Sequence, residues 1–453
     1  MPVHSGRNAD QSWRWWTRSR GRVACGDVRL RVRTAIILFV LFALGVPIAV
    51  ALGIAPIWAI YDRGTLLVIV PQIVFESLDS FSLMAIPFFI LAGRLMQAGG
   101  IASRLVELAV SLTGWMRGGL ANAAIVTSMM FATMSGSSSA TAAAVGGTLI
   151  PAMERSNYPR NFAAATIASS AELGAIIPPS VPMIVYAVAA NVSIADLFVS
   201  GILPGLLIGF SLIGFVTFVS WRNAYGSVDR PGVRAWACGV AAALRRSVLS
   251  LLMPIIVLGG IYGGVFTPTE AAVVAVAYAL ILGLFVYKEV RLRDLPAIFA
   301  SSGVTTGIVM MIVAFASVLA YALAIYQVPQ SLAMTLRSVS DNPHVFLLIV
   351  NLLLLIVGMF IETLAAIVIL TPILAPMAVS LGIDPIHFGA IIIVNLAIGM
   401  VTPPVGVNLF VVAQIANIKI EAMIAPLLGF LTVLIIDLMI ITYIPALSTV
   451  LIR

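Results

Sequence analysis

Two six-residue phrases, Gly174-Ala175-Ile176-Ile177-Pro178-Pro179 and Gly399-Met400-Val401-Thr402-Pro403-Pro404, carry most of the chemistry available to this chain. They stand 225 residues apart, each inside an apolar stretch. Proline has no N–H, and its ring clashes with the carbonyl four residues back. The paired prolines are therefore expected to leave the carbonyls of Gly174, Ala175, Gly399 and Met400 without helical partners. Unwound carbonyls of this kind coordinate alkali cations. Beyond each break a half-helix restarts, at Ser180-Val181-Pro182 and at Val405-Gly406-Val407-Asn408. Its N–H groups and positive dipole end point into the break and favour an anion such as a carboxylate. Pro179 and Pro404 suit the start of such a helix. The competing reading of each phrase is a structural kink.

A second polar feature precedes each break. Pro151 lies 27 residues before Pro178, and Pro376 lies 27 before Pro403, so both prolines of each half match at an offset of 225. At that offset Ser137-Ser138 falls on Glu362-Thr363. Each half is thus expected to hold an apolar hairpin with a polar tip, over about 120–153 and 345–377, followed by a helix broken at Pro-Pro. The first tip, Ser135-Gly136-Ser137-Ser138-Ser139-Ala140-Thr141, offers hydroxyls that are hard oxygen ligands. The same small residues would also make a helix-packing seam.

Few charges interrupt the apolar runs, and intramembrane charges are functional candidates by default. Glu172 precedes the first break and Glu362 sits at the second tip. Each either shapes the site or is a structural carboxylate. Glu270 follows Thr267-Pro268-Thr269 and reads as the closing residue of a capping box. Arg94 either binds an anion or snorkels to the interface. Asp437, within Leu434–Met439, needs a partner that the sequence does not name.

These residues must be held by membrane helices. The chain is 61% hydrophobic and 9% charged, where a soluble domain carries roughly 25% charged residues, so a soluble fold is excluded. Apolar runs of spanning length recur at about 34–60, 81–98, 197–220, 248–266, 271–287, 303–326, 343–360 and 422–445. They are continuous rather than alternating, which excludes a transmembrane barrel. The fold class is all-α and polytopic. Its two related repeats would span 34–220 and 248–453, inverted if each holds an odd number of crossings. A basic cytoplasmic linker, 221–247, would join them. Residues 1–33 carry eight arginines and form a basic extension, either a tail or an interfacial helix bearing Trp13, Trp15 and Trp16. Cys25 and Cys238 lie in basic segments and imply no disulfide framework.

Enzymatic readings find little support. A membrane serine protease needs a base beside its nucleophile, and the only histidines are His4, His344 and His387. His344 and His387 flank the loop signals Asn342-Pro343 and Asp384-Pro385. No phosphate-binding Gly-x-x-x-x-Gly-Lys-Ser/Thr loop is present. Two classes remain: a secondary transporter built around two matched breaks, or a passive channel or structural membrane component. Matched breaks in two halves favour transport.

The chain resembles the large membrane subunit of tripartite ATP-independent periplasmic (TRAP) transporters. The matching phrases are Ser135–Ala143, Ile177–Pro182, Gly201-Ile202-Leu203-Pro204-Gly205, Phe266–Ala272 and Asn395–Gly406, in order over about 34–450. The resemblance implies a multi-pass permease of the bacterial inner membrane, with a scaffold and a moving elevator domain. It also implies sodium-coupled import of an organic acid, such as a C4-dicarboxylate or sialic acid. The implied partners are a periplasmic binding protein and a small membrane subunit of about four helices; no cofactor is implied, and sodium ions serve as the coupling ions. Carried onto this sequence, one sodium site would use Ser137, Ser138, Ser139, Gly174 and Pro178. The other would use Glu362, Thr363, Gly399, Thr402 and Pro403. Substrate would lie between the tips, near Thr141, Pro179, Ser180, Pro404, Val405 and Asn408. Residues 1–33 depart from the family's short N-terminus and are too short and polar for a fused small subunit, so that partner is expected as a separate chain.

Overall fold

A computed structural model describes residues 33–34, 36–38, 40–42, 44–226, 232–328, 331 and 342–452. Most of the basic extension, with Trp13, Trp15, Trp16 and Cys25, lies outside the described residues. Among the described residues the regular elements are helical. That is the solution open to a chain whose backbone must satisfy its own N–H and C=O groups in lipid.

The chain packs into two compact units, Met1–Asp79 with Met311–Thr335, and Ser80–Met310 with Leu336–Arg453. In the first, α1 (Ile48–Asp62) is followed by α2 (Ile69–Leu78). The apolar run 34–60 is not one span. Gly45 at φ +74° turns the chain and Pro47 caps a new helix, a break that hydropathy alone does not register. The phenol of Tyr326 donates to the Ala59 carbonyl at 2.7 Å, and Arg63 donates to Ile325 O at 2.9 Å. Ile60, Val318 and Ala322 form the local core.

The second unit begins with α3 (Ala85–Ala98), α4 (Ile101–Thr113), α5 (Gly119–Ser135) and α6 (Ser138–Arg155). Next come α7 (Arg160–Ala171), its short continuation α8 (Leu173–Ile176), α9 (Val181–Ala190) and α10 (Ile194–Asn223). They are followed by α11 (Val233–Tyr262), α12 (Pro268–Ile281) and α13 (Leu295–Ile325), the last divided between the units at Met311. The unit closes with α14 (Pro343–Phe360), α15 (Thr363–Ser380), α16 (Pro385–Gly399), α17 (Val407–Ala416), α18 (Ile420–Tyr443) and the single turn α19 (Ala446–Thr449).

Eight helices among the described residues are long and apolar enough to cross a membrane, or nine if the pair 160–176 and 181–190, bent by 43°, counts as one span. One of the eight, Thr363–Ser380, is the second arm of a hairpin and was absent from the apolar runs. Much of the basic 221–247 segment is not a loop. Arg234, Arg245 and Arg246 lie on the first half of α11, continuous with the membrane span. Ser247 donates to Arg104 O at 2.9 Å and ties this half to α4. Thr267 and Glu270 form the expected capping box at the start of α12, with Thr267 N–H donating to Glu270 Oε2 at 2.8 Å. Asp384 caps α16 by accepting from Ile386 N–H at 2.8 Å and His387 N–H at 3.2 Å.

Hairpin-then-broken-helix occurs twice. Helix α6 starts at Ser138 and α15 at Thr363; α7 starts at Arg160 and α16 at Pro385, each pair 225 residues apart. The half-helices α9 and α17 are ten residues each and end on asparagines in the left-handed region, Asn191 (φ 54°) and Asn417 (φ 48°). Packing exchanges these elements. The outgoing arm α6 of the first hairpin lies against α17, beyond the second break, while α15 of the second hairpin lies against α9, beyond the first.

Candidate functional site

Each hairpin tip docks onto the break that follows it. At the first, Gly136 (φ 58°) ends α5 in a conformation that suits glycine, and Ser137 enters α6 in extended form. The Gly136 carbonyl accepts from Val181 N–H at 3.4 Å. The tip presses on Gly174 so closely that a Cβ there would stand 2.5 Å from Thr141 Oγ1 and 2.6 Å from Ser137 O. The Ser137 carbonyl is crowded with donors: Thr141 Oγ1 at 2.9 Å, Thr141 N–H at 3.1 Å and Ser135 Oγ at 3.3 Å. Residues 171–187, which contain the whole first break, are buried.

At the second break the same contact recurs with different residues. Gly406, 225 positions after Val181, donates its N–H to the Met359 carbonyl at 3.0 Å. Gly399 meets the backbone of Gly358, where an added Cβ would stand 2.6 Å from Gly358 Cα. This break is more open. Thr402, Pro403 and Val405 are half-buried and Pro404 is exposed. Glu362 caps the second tip, half-buried, and no described residue offers its carboxylate a hydrogen bond or an ion pair.

The two breaks meet across the exchange. Met400 Sδ accepts from Thr363 Oγ1 at 2.8 Å and from Ser138 Oγ at 3.8 Å, so one thioether touches both tips. Asn408 of α17 accepts from Ser139 Oγ at 3.0 Å and donates to Glu172 Oε1 at 2.6 Å. Glu172 Oε2 is buried with no protein partner. Hydroxyl and carboxylate groups from the first half and the Asn408 amide from the second thus share one interior region.

A family model described as "Tripartite ATP-independent periplasmic transporter, DctM component" matches residues 35–447. The chain belongs to that family. It is 45% identical over 374 residues to a C4-dicarboxylate TRAP transporter large permease protein of Pseudomonas aeruginosa, covering 83% of this chain and 87% of that protein. An isethionate TRAP transporter permease protein of Oleidesulfovibrio alaskensis is 44% identical over 90% of this chain and 65% of its own length. A sialic acid TRAP transporter large permease protein of Vibrio cholerae is 39% identical over 89% of this chain and 94% of that one. The fold is similar to the crystal structure of the Alcanivorax borkumensis YdaH transporter, with a TM-score of 0.54 at 16% identity over 80% of this chain and 86% of that one. The chain is a multi-pass TRAP transporter large permease and not an enzyme.

Several sequence expectations change in this TRAP permease. The proline-freed carbonyls are largely satisfied inside the protein. Ala175 O accepts from Ser180 Oγ at 2.6 Å, Gly399 O from Thr402 N–H at 3.0 Å, and Met400 O from Asn408 N–H at 3.1 Å. A carbonyl keeps a second lone pair, so these bonds do not close the site to a cation. The half-helix N–H groups of Val181, Gly406 and Asn408 are likewise engaged, the first two by the tips. Thr141, Pro179, Ser180 and Asn408, expected beside the substrate, are buried; the three polar ones among them hydrogen-bond within the protein. Pro404 and Val405 are the two expected substrate residues that reach accessible surface.

Arg94 is exposed and reaches Thr305 Oγ1 at 3.5 Å, a snorkelling position. Asp437 finds the partner that sequence could not name: Ser211 donates to its Oδ1 at 2.9 Å. Sequence reading named the Met400 carbonyl but missed its thioether, because an apolar side chain inside an apolar phrase carries no signal. It also missed the buried ladder beside the second break, in which Asn395 donates to Asn351 Oδ1 at 2.9 Å and Asn351 donates to Thr442 at 3.0 Å. Asparagines inside apolar runs at 351 and 395 were the available clue.

Proposed function

We propose that this permease imports a small organic acid by sodium-coupled secondary transport across the bacterial inner membrane. A periplasmic binding protein would deliver the substrate, and a separate small membrane subunit would accompany the chain. The names of the relatives support an organic anion as cargo, since they include a C4-dicarboxylate, isethionate and sialic acid.

The observation that carries this reading is the docking of each tip on its own break, with the hairpin arms exchanged between halves. On this reading the halves are two related inverted repeats, arranged as a scaffold and a moving elevator domain that carries the tips and breaks. Ser137, Ser138, Ser139, Gly174 and Pro178 frame the first sodium site. Glu362, Thr363, Gly399, Thr402 and Pro403 frame the second. Pro404 and Val405 border the substrate path, which widens when the tips part. Alternating access needs two related structures around a common site. A passive pore would require the tips to stand apart, whereas Met400 contacts both.

Proteoliposomes test the proposal. Uptake that needs an inward sodium gradient, the binding protein and the small subunit supports it, and flux indifferent to all three contradicts it. Ser138→Ala and Thr402→Ala each raise the sodium concentration for half-maximal uptake; unchanged sodium dependence in both removes the site assignment.

A further inference from the structure

Away from the breaks, α10 turns an apolar stripe outward. Phe210, Phe218 and Trp221 recur at helical spacing and are 64%, 55% and 60% exposed. Gly214, one turn from each phenylalanine, interrupts the stripe, and a Cβ added there would meet open space. The notch continues beneath the loop that joins α4 to α5, Gly114-Trp115-Met116-Arg117-Gly118. Loop and helix together enclose a groove of about 740 Å³ with Trp115, Arg117, Gly214, Phe218 and Trp221 in its walls.

The loop is held in shape by its own hydrogen bonds. Thr113 Oγ1 donates to Gly119 O at 2.8 Å, and Met116 N–H donates to Thr113 O at 2.9 Å. Trp115 Nε1 donates to Leu112 O at 2.8 Å, and its ring meets that of Trp236 edge-on at 6.4 Å. Gly118, at φ 77°, lies so near the end of α10 that a Cβ there would stand 2.8 Å from Ser220 Oγ. That close approach fixes Arg117 beside the last turns of α10.

Charge then separates this groove from ordinary lipid-facing surface. Among the described residues no carboxylate pairs with Arg117, or with Arg222, the exposed cation that follows Trp221. Arg222 also complements the C-terminal dipole of α10, whereas Arg117 stands in the loop. A neighbouring pocket shares Trp115 and is bounded by Ser156 and Ala235, which brings the chain beside Arg155 and Arg234 to the same face. The positive-inside rule assigns such a face to the cytoplasmic leaflet, where the surface is anionic. Indole rings favour the headgroup level, and a guanidinium offers paired N–H donors to phosphate oxygens.

We propose that the groove between the α4–α5 loop and α10 seats one anionic phospholipid. An acyl chain lies over Gly214 between Phe210 and Phe218, Trp115 and Trp221 flank the glycerol level, and Arg117 binds the phosphate. A boundary lipid held by apolar contact alone would need neither the notch nor the unpaired arginine. The site is independent of the coupling ion.

The test is native mass spectrometry of the full chain with its small subunit in detergent, titrated with phosphatidylglycerol or phosphatidylcholine. The wild type is expected to retain phosphatidylglycerol in preference to phosphatidylcholine. Arg117→Gln should weaken phosphatidylglycerol binding about fivefold, the equivalent of roughly 1 kcal/mol for one basic residue at a lipid surface, and leave phosphatidylcholine unchanged. Arg117→Lys keeps the charge and should keep most of the preference. Gly214→Leu fills the notch without meeting other atoms near its Cβ, so the chain still folds, and it should weaken retention of both lipids. Arg245→Gln removes an exposed arginine outside the groove and should change nothing.

Equal retention of the two lipids by the wild type overturns the proposal. So does a preference that survives Arg117→Gln, or one lost equally in Arg245→Gln, since net charge rather than the groove would then select the lipid. Release of the small subunit by Gly214→Leu with lipid binding intact also overturns it, because the groove would then belong to that subunit.

Discussion

The two Pro-Pro breaks share a phrase, a spacing and a backbone contact, yet they live in different surroundings. The first is buried throughout, and its carbonyl at Ala175 is held by the hydroxyl of Ser180. The second opens at Pro404, and its carbonyl at Met400 is held by a backbone N–H from Asn408. Ser180 corresponds to Val405, which has no hydroxyl to offer. The same local problem, a helix broken where lipid supplies no donors, has two solutions. The side-chain solution keeps the first break tightly closed. The backbone solution frees position 405 to be apolar and lets the second break face accessible surface.

Crowding at the paired glycines is the contact that both breaks have in common, so disrupting it has the largest expected effect. At Gly399 an added methyl would lie 2.6 Å from Gly358 Cα and 2.8 Å from its carbonyl carbon, both backbone atoms that cannot swing aside. Gly399→Ala is expected to destabilise the chain by about 1–3 kcal/mol and to reduce uptake more than tenfold. At Gly174 one of the two nearest groups is the Thr141 hydroxyl, a side chain with some freedom. Gly174→Ala combined with Thr141→Ala, which removes that hydroxyl, should therefore recover part of its loss, whereas no side-chain change rescues Gly399→Ala. Thermal melting and uptake of the purified variants check both.

The carbonyl solutions separate next. Ser180→Ala strips the donor from a buried carbonyl and is expected to cost about 1–3 kcal/mol. Val405→Ala, at the corresponding position, should change stability by less than about 1 kcal/mol, because no hydrogen bond is lost there. Equal losses in the two variants would erase the distinction between the breaks.

How much of this was legible in the sequence follows from what leaves a local mark. Proline pairs and glycine dictate backbone geometry wherever they stand, so the breaks, the hairpin limits near 119–155 and 343–380, and the Thr267–Glu270 capping box could be read from residue type and spacing. The partners of the freed carbonyls could not be read. Ser180 Oγ and Asn408 N–H look like potential substrate donors until the fold turns them back on their own break. Met400 and the Asn351–Asn395 ladder depend on contacts between helices distant in sequence. The run 34–60 was misread because mean hydropathy does not distinguish one long helix from two shorter ones joined at Gly45.

Coupling between the tips should be detectable but smaller. Ser138 and Thr363 share the Met400 thioether, so Ser138→Ala and Thr363→Val are expected to interact in a double-mutant cycle on sodium affinity by roughly 0.5 kcal/mol or more. Met400→Leu should abolish that interaction. The smallest effect belongs to Arg94, whose recorded hydrogen bond is to Thr305. Arg94→Ala should shift the half-saturating substrate concentration less than about twofold, in keeping with a snorkelling role.

The central claim is that the two tip-and-break pairs hold coupling sodium ions. Its most direct test is the reversal potential of transport in proteoliposomes containing this chain, its small subunit and its binding protein, at fixed substrate and sodium gradients. The account predicts a sodium-dependent reversal potential that corresponds to at least two sodium ions per substrate. A reversal potential that ignores the sodium gradient would contradict it.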